Sequence, residues 1–117
     1  MAPPIDSEEL PDDEGHAPDL DIAVHHNAAA SRFEAEVDGR LCVANYHLVD
    51  GVMRIHHTEV PAALEGRGIA GRIVDGALAY AERQGLKVEP WCSFVRSYMQ
   101  RHPETQRLLP EGFLIRR

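Results

Sequence analysis

Three sets of residues in this chain have the types and spacing for chemistry: a cysteine, a histidine and a run of close glycines. Cys92 follows an expected short strand and Pro90 and stands just before an expected helix. At a helix N-terminus the dipole stabilises a thiolate, which makes a nucleophile or an acyl-accepting group. His57 ends the alternating run Met53, Ile55, His57. Its imidazole takes up a proton near neutral pH, so it can serve as a general base or activate Cys92. Gly66, Gly68 and Gly71 precede a long expected helix. Glycines at that position let backbone N–H groups and the positive end of the helix dipole approach a phosphate closely.

Each set also has a structural reading. A free cysteine often packs as a small buried hydrophobe. A histidine on a strand is often only hydrogen-bonded at a sheet face. His56 and His57 are adjacent, so their side chains diverge and cannot chelate one ion together, and His25-His26 lie on another strand. No metal site is indicated.

The elements that must position these residues follow from hydrophobic period and turn chemistry. Phe33, Ala35 and Val37 alternate with Arg32, Glu34 and Glu36 over Ser31–Val37, and Asp38-Gly39 follows, a strong hairpin signal. Arg40–Val49 is rich in strand formers and ends at a second Asp-Gly, Asp50-Gly51. Val52–Val60 makes a third strand, and a short strand at Ile22–His26 is expected beside the meander. At Pro61 the period changes. Gly68–Gln84 reads as a helix with Ile69, Ile73, Ala77, Tyr80 and Ala81 along one side and Gly85 at its end. Leu86–Glu89 is a short strand, and Ser93 is expected to cap a second helix through about Arg101, with Phe94, Tyr98 and Met99 inward. Leu108, Leu109, Phe113 and Leu114 form a last apolar patch. The expected class is α+β with a mixed, mostly antiparallel sheet.

Charge is distributed unevenly. The net charge of −7 resides in residues 1–20, which hold seven acids, four of the eight prolines and no Lys or Arg; the other 97 residues carry twelve acids and twelve bases. That segment is expected to be a disordered tail, leaving one domain over 21–117. A nucleic-acid footprint or a polybasic membrane contact needs clustered Lys and Arg, which this chain lacks. No run approaches a spanning helix and no secretory signal is visible. Cys42 and Cys92 form no CxxC pair, so a reducing cytoplasm is the expected compartment.

Gly66-x-Gly68-x-x-Gly71 matches the dinucleotide-binding fingerprint, with Glu89 at a later strand end. Against it, Pro61-Ala62-Ala63-Leu64 separates the glycines from the strand, and the upstream strands read as antiparallel. The body is also too short for a second mononucleotide-binding half. A meander, loop, long helix, short strand and short helix in that order instead resemble the GCN5-related N-acetyltransferase (GNAT) fold. That family's loop, Q/R-x-x-G-x-G/A, is matched at its small positions by Gly68 and Ala70, with Glu65 standing where Gln or Arg is usual. His57-Thr58-Glu59-Val60-Pro61, Leu64–Ala70, Pro90-Trp91-Cys92-Ser93-Phe94-Val95 and Arg101-His102-Pro103 resemble a subgroup of minimal, single-domain GNAT-like proteins over Phe33–Glu104.

The resemblance implies an acyl-CoA-dependent N-acetyltransferase. Acetyl-CoA is the implied co-substrate, and the acceptor is an amine on a small molecule or a protein lysine. The pyrophosphate would lie on Gly66, Arg67, Gly68, Ile69, Ala70 and Gly71, and the pantetheine beside Thr58–Val60, where backbone groups matter more than side chains. Cys92 would face the thioester, His57 would act as base, and Tyr98 would either protonate the departing CoA thiolate or serve as a core aromatic. A non-catalytic acetyl-CoA-binding module and a dinucleotide-binding protein remain as alternatives.

Overall fold

Both Asp-Gly pairs make two-residue hairpin turns. Asp38 and Gly39 have φ of 53° and 75°, and Asp50 and Gly51 have 52° and 78°, the double left-handed pattern that suits strand twist. In the computed structural model, which describes residues 22–115, these turns join β2 (Arg32–Val37), β3 (Arg40–Val49) and β4 (Val52–Glu59). Val37 pairs with Arg40 and Val49 with Val52. Phe33, Ala35, Val37, Cys42, Ala44, Tyr46, Met53 and Ile55 turn one face into the core. The acidic segment 1–20 lies outside the described residues.

The first strand differs from expectation. β1 is His25–Asn27, antiparallel to β2, whereas Ile22 and Val24 are partly buried against the core without pairing. The side chain of Asn27 accepts the N–H of Ala30 at 3.1 Å, and Ser31 takes a φ of 55°. This local Asx capping turns the chain into β2.

α1 (Ile69–Gln84) buries Ile69, Ile73, Val74, Ala77, Leu78 and Ala81 and packs across β2, β3, β4 and β5. Tyr80 is only half-buried, in edge contact with Phe33 at 5.6 Å. Gly85 ends the helix at φ 72°, with Leu86 N–H donating to Ala81 O at 2.8 Å and Gly85 N–H to Glu82 O at 3.2 Å, a Schellman closure. β5 (Lys87–Pro90) then pairs parallel to β4, which completes a five-stranded sheet in the order β1-β2-β3-β4-β5.

α2 (Ser93–Arg101) starts one residue earlier than a Ser93 cap requires. Cys92 is the N-cap, with extended backbone (φ −100°, ψ 137°), because its N–H and that of Trp91 are both held by the carbonyl of Ile55. Helical geometry begins only beyond that anchor. Val95, Tyr98 and Met99 are buried and Phe94 is half-buried. A 3-10 turn, Pro103–Leu108, follows. Of the expected last apolar patch, Leu108 is buried, whereas Leu114 is 80% exposed.

Candidate active site

The site originates in one extra residue. Asn45 pairs with His57 and Tyr46 with Ile55, so His56 has no partner of its own and β4 bulges there. A bulge reverses the side-chain alternation downstream of it. Met53 and Ile55 face the core; beyond the bulge, Thr58 takes that face, opposite the buried Ala44. His57 is turned outward, 53% exposed, with Nε2 at 3.3 Å from Glu59 Oε1. The expectation that His57 shares a side with Met53 and Ile55 is therefore corrected. The sequence shows only that alternation lapses into the polar run His56-His57-Thr58-Glu59, which does not say where the extra residue falls.

The second determinant is where the parallel pairing stops. Ile55 and Pro90 form its last pair, after which the Ile55 carbonyl accepts the N–H groups of Trp91 at 3.0 Å and Cys92 at 3.1 Å. β4 continues to Glu59 while the other chain turns into α2. The strands part, and a cleft of about 350 Å³ opens between them.

Thr58 and Val60 line this cleft from β4, and Phe94 lines it from α2. Leu64, Glu65, Gly66 and Gly68 contribute from the loop, and Ile69, Ala70 and Gly71 from the first turn of α1. Leu64 and Ile69, each 2% exposed, anchor the loop to the core at both ends. Between them Gly66 and Gly68 adopt φ of 85° and 79°. The first N–H groups of any helix lack intrahelical partners, and the first turn of α1 contains no acidic residue that would neutralise its positive end. These donors suit a diphosphate. Glu65 places a negative charge on the same wall.

Arg67 does not line the cleft. Its guanidinium donates to Asp38 Oδ2 at 2.9 Å, tying the loop to the β2–β3 turn. Glu89, the acid that a dinucleotide fingerprint would require, is also engaged elsewhere. One of its carboxylate oxygens accepts from Arg54 Nε at 3.1 Å and from Trp91 Nε1 at 2.8 Å. Among the described residues, only β4, α1 and β5 form a parallel crossover; the other pairs are antiparallel, which is not a doubly wound sheet.

Cys92 has a distinctive environment. Its Sγ lies 3.6 Å from Thr58 Oγ1. Partial burial by itself pushes the thiol up, but the backbone N–H of Val95, the Thr58 hydroxyl and the backbone of Phe94 and Thr58 outweigh it, so the thiol titrates below its usual range. None of these backbone groups closes to a full capping bond. Cys42 is the opposite case, fully buried and pushed up by that burial.

Tyr98 is placed as a core aromatic. Its hydroxyl donates to Asp75 Oδ1 at 3.4 Å, and its ring stacks on His102 at 4.2 Å and backs Gly71, where an added Cβ would sit 3.7 Å away. Burial, then the Asp75 charge, push the phenol far above its usual range. Phe94 and Leu64 as lining residues, and the Thr58 side chain as a partner of Cys92, are site features that sequence reasoning missed. Among the described residues, no group of three or more His, Cys, Asp or Glu is placed to hold a metal ion, and no helix is long and apolar enough to cross a membrane.

A meander, one parallel crossover, and a cleft between a glycine loop and a splayed strand define an acyltransferase-like α+β domain. The chain belongs to the GCN5-related N-acetyltransferase family, whose profile matches residues 32–108. It is similar to the protein NATD1 of Mus musculus, 29% identical over 90 residues that cover 74% of this chain and 82% of that protein. The Xenopus tropicalis NATD1 is 28% identical over 94 residues, 78% of this chain and 86% of its own length. The Homo sapiens protein is 29% identical over 90 residues, covering 74% and 80%.

Proposed function

We propose that this chain transfers an acetyl group from acetyl-CoA to an amine. The observation that carries the reading is the cleft itself, which joins the amides at the start of α1 to the immediate neighbours of Cys92, namely Thr58 and Phe94. The pyrophosphate lies on the backbone of Gly66–Gly71, and the pantetheine runs beside Thr58–Val60, where β4 has lost its parallel neighbour. The thioester then meets Cys92.

Two routes fit. In the direct one, the amine nitrogen attacks the thioester carbon, the C–S bond breaks and CoA leaves as its thiolate. The amine proton passes to solvent, because His57, the base expected from sequence, is turned away from Thr58 toward Glu59 and does not line the cleft. In the other, the Cys92 thiolate attacks the thioester carbon and releases CoA thiolate; the amine then attacks the acetyl carbon, the C–S bond to Cys92 breaks, the amine proton passes to solvent and the Cys92 thiolate is regenerated. Tyr98, held by Asp75, supports the core more than it supports protonation of the leaving thiolate. The acceptor is a small-molecule amine or a protein lysine. With Cys42 and Cys92 both free thiols, a reducing compartment such as the cytoplasm suits the protein.

A purely acetyl-CoA-binding module would use the same cleft and is distinguished by the absence of amine-dependent CoA release. The experiment is release of CoA thiol from acetyl-CoA across a panel of amines, run beside thermal shifts with acetyl-CoA and NAD. Acetyl-CoA at 100 times its dissociation constant is expected to stabilise by about 2.7 kcal/mol, NAD is expected to do nothing, and at least one amine should accelerate thiol release. Binding without release under any amine would leave the module reading standing.

A further inference from the structure

The bulge in β4 makes a contact that regular alternation would forbid. Without the extra residue at His56, His57 would face the core and Thr58 the solvent; with it, Thr58 and Val60 face the cleft. The consequence is that Thr58 Oγ1 lies 3.6 Å from the sulfur of a residue 34 positions away, Cys92.

We propose that Thr58 is a positioning residue for Cys92, its hydroxyl donating to the sulfur and holding it as a thiolate at the mouth of the cleft. This rests on the reading of Cys92 given above. A hydroxyl carries one donor, and an O–H bond to an anionic acceptor is stronger than one to a neutral acceptor. The contact therefore favours the ionised sulfur over the protonated one. The remaining help comes from the backbone side of α2, where the N–H groups of Phe94 and Val95 point toward the sulfur because Cys92 occupies the N-cap. Threonine is suited to the task because branching at Cβ restricts its χ1, so the hydroxyl does not wander.

The test is the pH dependence of Cys92 alkylation by iodoacetamide in the ligand-free protein, read by peptide mass so that the fully buried Cys42 is scored separately. Thr58→Val keeps the shape and removes the donor; Thr58→Ser keeps the donor. The Val variant is expected to alkylate about three- to tenfold more slowly at pH 7, with its midpoint moved to higher pH, the scale of one lost hydrogen bond. The Ser variant is expected to track the wild type. A Val profile that coincides with wild type, or a Ser profile as slow as Val, overturns the proposal. Alkylation needs no acetyl-CoA, so the two readings fail separately. A Thr58 effect in a protein that never transfers acetyl sinks the transferase reading alone, and transfer that needs Cys92 but ignores Thr58 sinks the positioning role alone.

Discussion

The backbone N–H of Cys92 donates to the carbonyl oxygen of Ile55 at 3.1 Å, and that same oxygen accepts Trp91 N–H at 3.0 Å. One acceptor thus ends the β4–β5 pairing and fixes the candidate nucleophile to the last paired residue of β4. Cys92 is placed by backbone, not by a flexible loop. The cleft can open beyond this point because nothing pairs with β4 on that side any longer.

The loop glycines should separate by conformation. Gly66 and Gly68 hold positive φ, which costs other residues roughly 1–2 kcal/mol. A Cβ at Gly66 meets nothing within 4 Å, so the penalty at Gly66 is purely conformational. Alanine at either position is expected to lower urea-unfolding stability by about 1 kcal/mol and to weaken acetyl-CoA binding in calorimetry. Gly71 is helical, and a methyl there would make ordinary contact with Tyr98 at 3.7 Å. Gly71→Ala should leave stability equal or raise it by up to about 1 kcal/mol. The order fails if Gly71→Ala is the most destabilised of the three.

Asp38 holds Arg67, so on the proposed reading it would compete with the pyrophosphate for that guanidinium. The pair is solvent-exposed, with Asp38 at 64%, so breaking it costs little stability. Asp38→Asn is expected to free the guanidinium for the pyrophosphate and tighten acetyl-CoA binding about two- to fivefold at low salt, the range of an exposed ion pair. The gain should fade as ionic strength rises. Calorimetric titrations at two salt concentrations decide it, and unchanged affinity at low salt would show that Arg67 stays away from the ligand.

Acid should loosen the first strand. The ring of His26 stacks on Phe33 at 4.3 Å and its Nε2 lies 2.6 Å from the Tyr46 hydroxyl, and burial holds it below the ordinary imidazole value of 6.5. The unfolded chain therefore takes up the proton more readily than the native one, so stability present above about pH 6.5 is lost as pH falls through the two values. His56 has the same sign, through burial and then the neighbouring His47 and His57. An NMR titration should find the His26 midpoint below 6.5, and His26→Phe should flatten, though not abolish, the fall of Tm with acidification. A His26 midpoint above 6.5 contradicts this.

What could be read from sequence was local. Asp38-Gly39, Asp50-Gly51 and Gly85 each declare a backbone conformation through their own residue types, and so the hairpins and the end of α1 lie where the residues put them. What could not be read depends on pairing between distant segments. The phase of β4 after His56 is decided by its register against Asn45 and Tyr46, which moved His57 outward and brought Thr58 to Cys92. The start of α2 depends on Ile55, 37 positions before Cys92. The direction of Tyr98 depends on Asp75, 23 positions earlier. The loop residues Gly66, Gly68, Ile69, Ala70 and Gly71 and the strand residues Thr58 and Val60 do share one cleft; Arg67 and Tyr98 face other partners.

On the proposed function Cys92 takes part in acetyl transfer beside the cleft wall formed by its neighbours Thr58 and Phe94, and Cys92→Ala removes the sulfur while leaving that wall in place. Amine-dependent release of CoA thiol and calorimetric acetyl-CoA affinity are measured on the same preparation. A loss of rate of about 100-fold or more is expected, the scale of removing a group that acts in the reaction, with acetyl-CoA affinity kept within about twofold, since a shared ground-state contact is not what is removed. Full activity in Cys92→Ala would leave the cysteine as packing and acetyl transfer to other groups.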